Sequence, residues 1–167
     1  PSDSLKVVWE TMEAMVKAGK AKTLGICNAN VSVLADLLPK CRISPAVLQV
    51  ERHPLLPQWD LVDFCAQHDI QIQAHTSLGQ GKTEVLEHAV VKDIVASQEY
   101  PNVSGAQVVM AWNLQQNIGI AVKASTPEHL EELTRLPQLS CRHIDALNKI
   151  TDRKRFVAPP FMYGTAP

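Results

Sequence analysis

Apolar residues along this chain recur at two alternating rhythms, a helical one and a short continuous one. Residues 4–18 place Leu5, Val8, Trp9, Met12, Met15 and Val16 on one helical face, with Asp3 or Ser4 as N-cap and Gly19 as the stop. The apolar run over 23–27 then predicts a buried strand, and Asn30 caps a helix whose Val31, Leu34, Leu37 and Leu38 share a face until Pro39 ends it. The pair repeats: strand 47–51 with helix 60–68 burying Leu61, Phe64 and Cys65, then strand 70–74 with a helix near 87–98. That helix turns Val90, Val91, Ile94 and Val95 inward. Ser104 caps a helix reaching about Gln116, strand 118–122 follows with helix 127–133, and Ser140 opens a last helix carrying Ile144, Leu147 and Ile150.

Strands alternating with helices predict an α/β fold with a parallel sheet, because parallel neighbours need a helical crossover. An eight-stranded βα barrel takes ~250 residues, whereas this pattern yields four strands and two open edges. The expectation is half of a (β/α)8 TIM barrel, or else a small doubly wound sheet. No GxGxxG follows any strand, which speaks against the dinucleotide fold of the second type.

A chain of 167 residues, 46% hydrophobic and 20% charged, can bury one core. One domain is expected over 1–155, followed by an irregular, proline-rich tail over 156–167. The net charge of −1 and scattered Lys and Arg do not suggest a nucleic-acid partner. No apolar run nears the roughly 20 residues a bilayer needs, and no secretory pattern opens the chain, so no membrane and a cytoplasmic setting are expected. The four cysteines lack CxxC spacing and read as buried free thiols, and the six histidines form no HxxxH or HExxH pair, so no metal is expected. Pro1 stands where Met would, which implies processing or a piece of something longer.

The stretch from Val122 to Leu130 carries the most pointed chemistry. A strand ending in Lys123 runs at once into a helix start, with Pro127 at the first helical position and the hydroxyls of Ser125 and Thr126 beside it. Backbone N–H groups plus a lysine make an anion pocket suited to phosphate. Taken alone, an ordinary βα turn with a solvated lysine accounts for the same residues. Glu131 and Glu132 read as a solvated helix face.

Several blocks together resemble the aldo-keto reductases, nearest to the xylose reductase branch. They are WETMEAMVKAGK from Trp9, LGICN from Leu24, LQVERHP from Leu48, LVDFC from Leu61, AHTSLG from Ala74, QVVMAW from Gln107 and KASTPE from Lys123, in order over nearly the whole chain. The resemblance implies a (β/α)8 barrel binding NADP(H) at its strand ends and reducing aldehydes or ketones. On it the chain covers strands five to eight, their helices and the C-terminal helix. The half not covered carries the family's catalytic Asp, Tyr, Lys and His, so no catalytic residue is assigned here. His53, Tyr100 and Tyr163 are not substitutes for them.

The same resemblance assigns cofactor contacts. Asn28 and Gln49 match the residues that hydrogen-bond the nicotinamide carboxamide, with Cys27 in place of a usual serine. His75 stands where a tyrosine stacks on the nicotinamide ring, and Thr76, Ser77, Leu78 and Gly79 belong to the pyrophosphate-side loop. Lys123, Ala124 and Ser125 match the segment near the 2′-phosphate, Ala124 replacing a serine. His129 falls at the position of the phosphate-binding arginine, and Leu133 at that of an adenine-side asparagine. Histidine is mostly neutral near pH 7 where arginine grips permanently with two prongs. Losing such contacts, each worth about 1–3 kcal/mol, moves a micromolar site toward the millimolar range. Asn28 also suits a turn before a helix, and Gln49 a satisfied polar group at a strand end.

Three readings follow. The first is part of an NADP(H)-dependent reductase acting on a small carbonyl substrate, inactive without the other half. The second is a catalytically silent subunit whose open strand edges pair with the missing barrel half, a second copy or a partner chain. The third is a nucleotide-binding module using only the pocket around Lys123.

Overall fold

The computed structural model describes residues 2–97 and 99–157, and over them strands and helices alternate as the apolar rhythm predicts. In chain order they are α1 (Ser2–Lys17), β1 (Gly25–Cys27), α2 (Val31–Leu37), β2 (Val47–Glu51), α3 (Trp59–Gln67), β3 (Gln71–His75), α4 (Ala89–Ala96), α5 (Gly105–Leu114), β4 (Gly119–Ala121), α6 (Pro127–Thr134) and α7 (Cys141–Asn148). The strand order is β1-β2-β3-β4. β1 pairs in parallel with β2, Gly25 opposite Val47, and β3 with β4, Gln73 opposite Gly119. The chain divides into two units: one holds the residues up to Val50 together with Gln58–Ile72, the other Glu51–Pro57 together with Gln73–Val157.

In the first unit α1 lays Trp9 against Leu24 and Leu37, with Leu5, Met12, Val16 and Ile43 packed around them. Trp9 Nε1–H donates to Ile43 O at 2.9 Å, so the indole is buried without losing its hydrogen bond. The expected apolar face is corrected at its rim. Val8 and Met15 are 54% and 43% exposed, because the buried flank of the stripe is the opposite one, where Glu13 lies. The Glu13 carboxylate accepts the backbone N–H groups of Arg42 and Ile43 at 2.6 and 2.9 Å. α1 starts at Ser2, so neither Asp3 nor Ser4 is its N-cap, while Gly19 (φ +70°) ends it with Lys20 N–H donating to Met15 O.

Asn30 caps α2 as expected, its Oδ1 accepting Val33 N–H at 2.9 Å. Asn30→Ala should lower the unfolding free energy by about 1 kcal/mol, read as a shifted urea midpoint at unchanged slope. β2 spans the expected residues. β1 and β4 are shorter than the expected 23–27 and 118–122, since each has one neighbour to define its ladder. β3 is shifted by one residue: Ile70 N–H goes to Cys65 O, while His75 O accepts Arg52 N–H.

The second unit is built around α5, where Val108, Val109, Met110, Ala111 and Trp112 are all buried. Ser104 and Gln107 form a reciprocal capping box at its start. α4 is trimmed to Ala89–Ala96 by a cap that the sequence reading did not include, His88 Nδ1 accepting Val90 N–H. Position 98 of the expected helix lies outside the described residues. α7 begins after Ser140 as expected, but that hydroxyl makes no capping bond, and its backbone N–H donates to Tyr100 Oη instead. Residues 151–157 are irregular, and the tail beyond Val157 lies outside the described residues.

The expectation for the cysteines also changes. Cys65 is buried, with burial pushing its thiol up to about 11, but Cys27 and Cys141 are exposed and Cys41 half-buried, so the cysteines do not read alike. Among the described residues no helix is long and apolar enough to cross a membrane.

Candidate functional site

In the second unit the β3–β4 register sets His75 opposite Ala121, which brings the two segments leaving these strands side by side. Between them opens a cavity of about 600 Å3 lined by Thr76, Ser77, Leu78, Gln80, Gly81, Leu86, Ala121, Val122, Lys123 and Ser125. A smaller hollow of about 180 Å3 shares Leu78, Leu86, Val122 and Lys123 and adds Ala124, His129, Glu132 and Leu133 among its walls. Thr76, Ser77, Leu78, Lys123, Ala124, Ser125 and His129 are therefore brought together. Strand ends of a parallel sheet are where such clefts form, because the βα loops part there.

His75 lines neither space. Its ring is half-buried, with Nδ1 2.9 Å from Thr76 Oγ1. Burial pulls its pKa below the ordinary value, Glu51 opposes that and Arg155 adds to it, leaving a neutral imidazole at pH 7. Ser77 is fully buried and its hydroxyl donates to Ala74 O at 3.4 Å. Gln80, Gly81 and Leu86 are wall residues that sequence reasoning missed. The glycine-flanked Gly79-Gln80-Gly81 after a strand was the available signal.

The anion pocket at the start of α6 is modified by the chain itself. Thr126 caps the helix by accepting His129 N–H at 3.3 Å, with Pro127 in the first turn. The Glu128 carboxylate lies at the same helix start. Its own backbone N–H and the Thr126 hydroxyl, with His129 nearby, hold it below the usual carboxylate range. Glu132, expected on a solvated face, is half-buried on the wall of the hollow. Lys123 thus shares the hollow with the acidic Glu132, and an incoming phosphate meets the Glu128 carboxylate at the helix start.

The remaining predicted contacts belong to the first unit. Asn28 follows β1 in the left-handed region (φ +55°), which asparagine tolerates, and its N–H donates to Gln49 O at 2.9 Å. Cys27 Sγ lies 3.9 Å from Gln49 Oε1, a long contact of the kind a thiol makes. Asn28, Cys27 and Gln49 therefore form one cluster where β1 ends, and Gln49, expected at a strand end, stands in the middle of β2 opposite Cys27.

Back in the second unit, Glu51, Arg52 and His53 are wholly buried in sequence order. Glu51 accepts the N–H groups of Phe156 and Val157 at 2.7 and 2.8 Å, and its Oε1 is 2.9 Å from His53 Nε2. Burial alone raises the Glu51 pKa. The His53 ring and the two amides outweigh that and hold the carboxyl below its ordinary 4.5. A carboxyl depressed in the folded state stabilises the fold above its unfolded pKa and loses that contribution as pH falls through the folded value. Urea midpoints should therefore drop from about pH 6 to about pH 3.5, and part of that drop should vanish in Glu51→Gln.

A profile described as Aldo/keto reductase family matches residues 1–152. The chain is 32% identical over 164 residues to "Aldose reductase C" of Dictyostelium discoideum, covering 97% of this chain and 50% of that protein. It is 32% identical over 148 residues to "Glycerol 2-dehydrogenase (NADP(+))" of Saccharomyces cerevisiae, covering 87% and 46%. The solved aldose reductase of Schistosoma japonicum superposes with a TM-score of 0.83 at 28% identity, over 94% of this chain and 50% of that one. The chain spans about half the length of the curated relatives it matches. Its four parallel βα repeats are the strand–helix units of half a (β/α)8 barrel. With the family profile matching residues 1–152 and a relative 32% identical over 97% of this chain, the chain belongs to the aldo/keto reductase family.

Proposed function

We propose that this chain contributes to an NADP(H)-dependent oxidoreductase that reduces aldehydes or ketones, and that the second-unit cavity takes the phosphate-bearing part of the cofactor. The observation that carries this is the convergence of Thr76, Ser77, Leu78, Lys123 and Ser125 on one cavity, with Ala124 and His129 in the adjoining hollow. The volume suits a nucleotide fragment, and Lys123 supplies a cation at the wall. When bound, NADP(H) supplies the hydride. This chain's own residues bind and orient: Lys123, Ser125 and His129 the phosphate, the Thr76–Leu78 segment the pyrophosphate side, and, on the first unit, Asn28 and Gln49 the carboxamide with Cys27 beside them. No Asp-Tyr-Lys-His catalytic set is assigned to these residues, so the chain alone is predicted to turn over no substrate.

The charge balance makes the site weak. Glu128 sits at the α6 start, Glu132 on the hollow wall, and among the described residues no arginine lines either space. Titrating NADPH against the purified chain and following its fluorescence should give saturable binding in the millimolar range, with NADH weaker. Absence of any change at about 10 mM NADPH would overturn the cofactor role. NADPH oxidation with xylose or glyceraldehyde above background would overturn the predicted inactivity.

A second reading, a catalytically silent subunit in an assembly, is favoured by uncovered surface. β1 and β4 each have a single strand neighbour, α6 buries no residue, and Val7, Val8, Met15 and Leu130 are exposed. The missing barrel half, a second copy or a partner chain are the candidates to cover them.

A further inference from the structure

A loop held in an unfavourable backbone conformation forms one wall of the larger cavity. Gly79, Gln80 and Gly81 take φ of +75°, +55° and +80° in succession, and Thr76 ahead of them takes +55°. Glycine adopts this region freely, but glutamine and β-branched threonine do not, so such a loop persists only where its surroundings over-determine it. Gln80 and Gly81 are themselves cavity walls.

Phe156 supplies the constraint. Its ring borders Gly79: a Cβ there would stand at ordinary contact distance, 3.6 Å from the ring edge and 3.4 Å from Val85. Lys82, at the end of the loop, places Nζ 5.4 Å from the ring centroid. Phe156 lies in the irregular segment 151–157, with no ladder or helix to fix it. It is fixed instead by the buried Glu51 carboxylate, which takes its N–H and that of Val157, and by the His53 ring at 5.1 Å. Lys154 on the same segment donates its N–H to Leu55 O at 3.0 Å.

We propose that Glu51 is a positioning residue for the cavity: by clamping the Phe156 and Val157 amides it seats the Phe156 ring on Gly79 and keeps the loop Gly79–Gly81 in the form that walls the site. The loop-ordering half stands on geometry alone, and its consequence for ligand binding rests on the cofactor role proposed above. A carboxylate suits the task because it accepts two adjacent N–H groups at once, whereas an amide at the same place turns an NH2 toward one of them.

Amide hydrogen exchange on the full chain tests this. The Gly79 and Lys82 amides donate to Thr76 O and Gly79 O at 2.9 and 3.0 Å and report on the loop, while the Val108 amide, bonded to Ser104 O at 3.1 Å, reports on α5. Phe156→Ala and Glu51→Gln should each speed exchange at Gly79 and Lys82 about tenfold or more beyond any change at Val108, whose own change reads the loss of overall stability. Unchanged exchange at both loop amides, or equal acceleration at Val108, would overturn the clamp. NADPH should bind both variants at least about fivefold more weakly than the parent. A loosened loop with unchanged NADPH affinity overturns the ligand half, and a parent that binds no NADPH overturns the cofactor role while the exchange data still decide the clamp.

Discussion

Replacing Arg52 with alanine should lower the unfolding free energy by about 3–5 kcal/mol, the sum of two buried acceptors left without their charged donor and a cavity where the side chain was. The guanidinium is fully buried. Nε–H donates to Pro57 O at 3.0 Å, Nη1–H to Asn113 Oδ1 at 2.5 Å, and the group lies 4.1 Å from the centroid of the Trp112 ring. Burial pulls its pKa down to about 9, which still leaves it charged at pH 7. Removing the side chain deprives the Pro57 carbonyl and the Asn113 amide oxygen of these donors and opens a void against an indole that itself donates Nε1–H to Asn148 Oδ1 in α7. Unsatisfied buried acceptors and a cavity add in the same direction. Urea unfolding of Arg52→Ala measures the sum. Arg52→Lys should fall between parent and alanine, since an ammonium keeps the charge but has neither the planar fork nor the stacking face. A loss below about 1 kcal/mol for Arg52→Ala would show the network to be dispensable.

That network also marks where sequence reading stops. β2 was legible residue for residue because both its neighbours and its apolar alternation lie within the strand pattern itself. The edge strands were overextended because an apolar run continues past the point where a single neighbour ends the ladder. α5 is buried almost all round, so its limits came from Ser104 and not from a stripe. By pattern Glu51 closes a strand, Arg52 and His53 follow it, and nothing local gives the three a buried role. Their partners stand 61 residues on at Asn113 and 105 and 106 residues on at Phe156 and Val157, a separation that no local periodicity reveals. Glu13 is the same case in the first unit, closing on amides 29 and 30 residues away. The site divides similarly. Thr76–Leu78 and Lys123–Ser125 were readable as strand-end segments carried by a resemblance, whereas Gln80, Gly81 and Glu128 take their places through loop dihedrals and side-chain capping that the residue pattern leaves open.

His129→Arg should tighten NADPH binding by about 10- to 100-fold while changing NADH affinity less than about threefold, since a hydrogen bond to a charged group is worth about 1.5–3 kcal/mol and ~1.4 kcal/mol is tenfold. Position 129 lies on the wall of the hollow that also holds Lys123, in the first turn of α6, with its backbone N–H already committed to Thr126 Oγ1. A side-chain change there adds donors without disturbing the cap. Arginine contributes a permanent charge and a planar pair of N–H groups, where histidine offers one donor and, when neutral, no charge. Glu128 works against the gain, because its carboxylate at the helix start attracts the new guanidinium and repels phosphate. Combining His129→Arg with Glu128→Gln should therefore exceed His129→Arg alone, and the NADPH advantage should shrink as salt rises, as it must for a solvent-exposed phosphate contact. The discriminating readout is the ratio of the two cofactors. Equal tightening of NADPH and NADH would mean that position 129 does not meet the 2′-phosphate, and no tightening of either would mean that the hollow beside Lys123 is not where the phosphate binds.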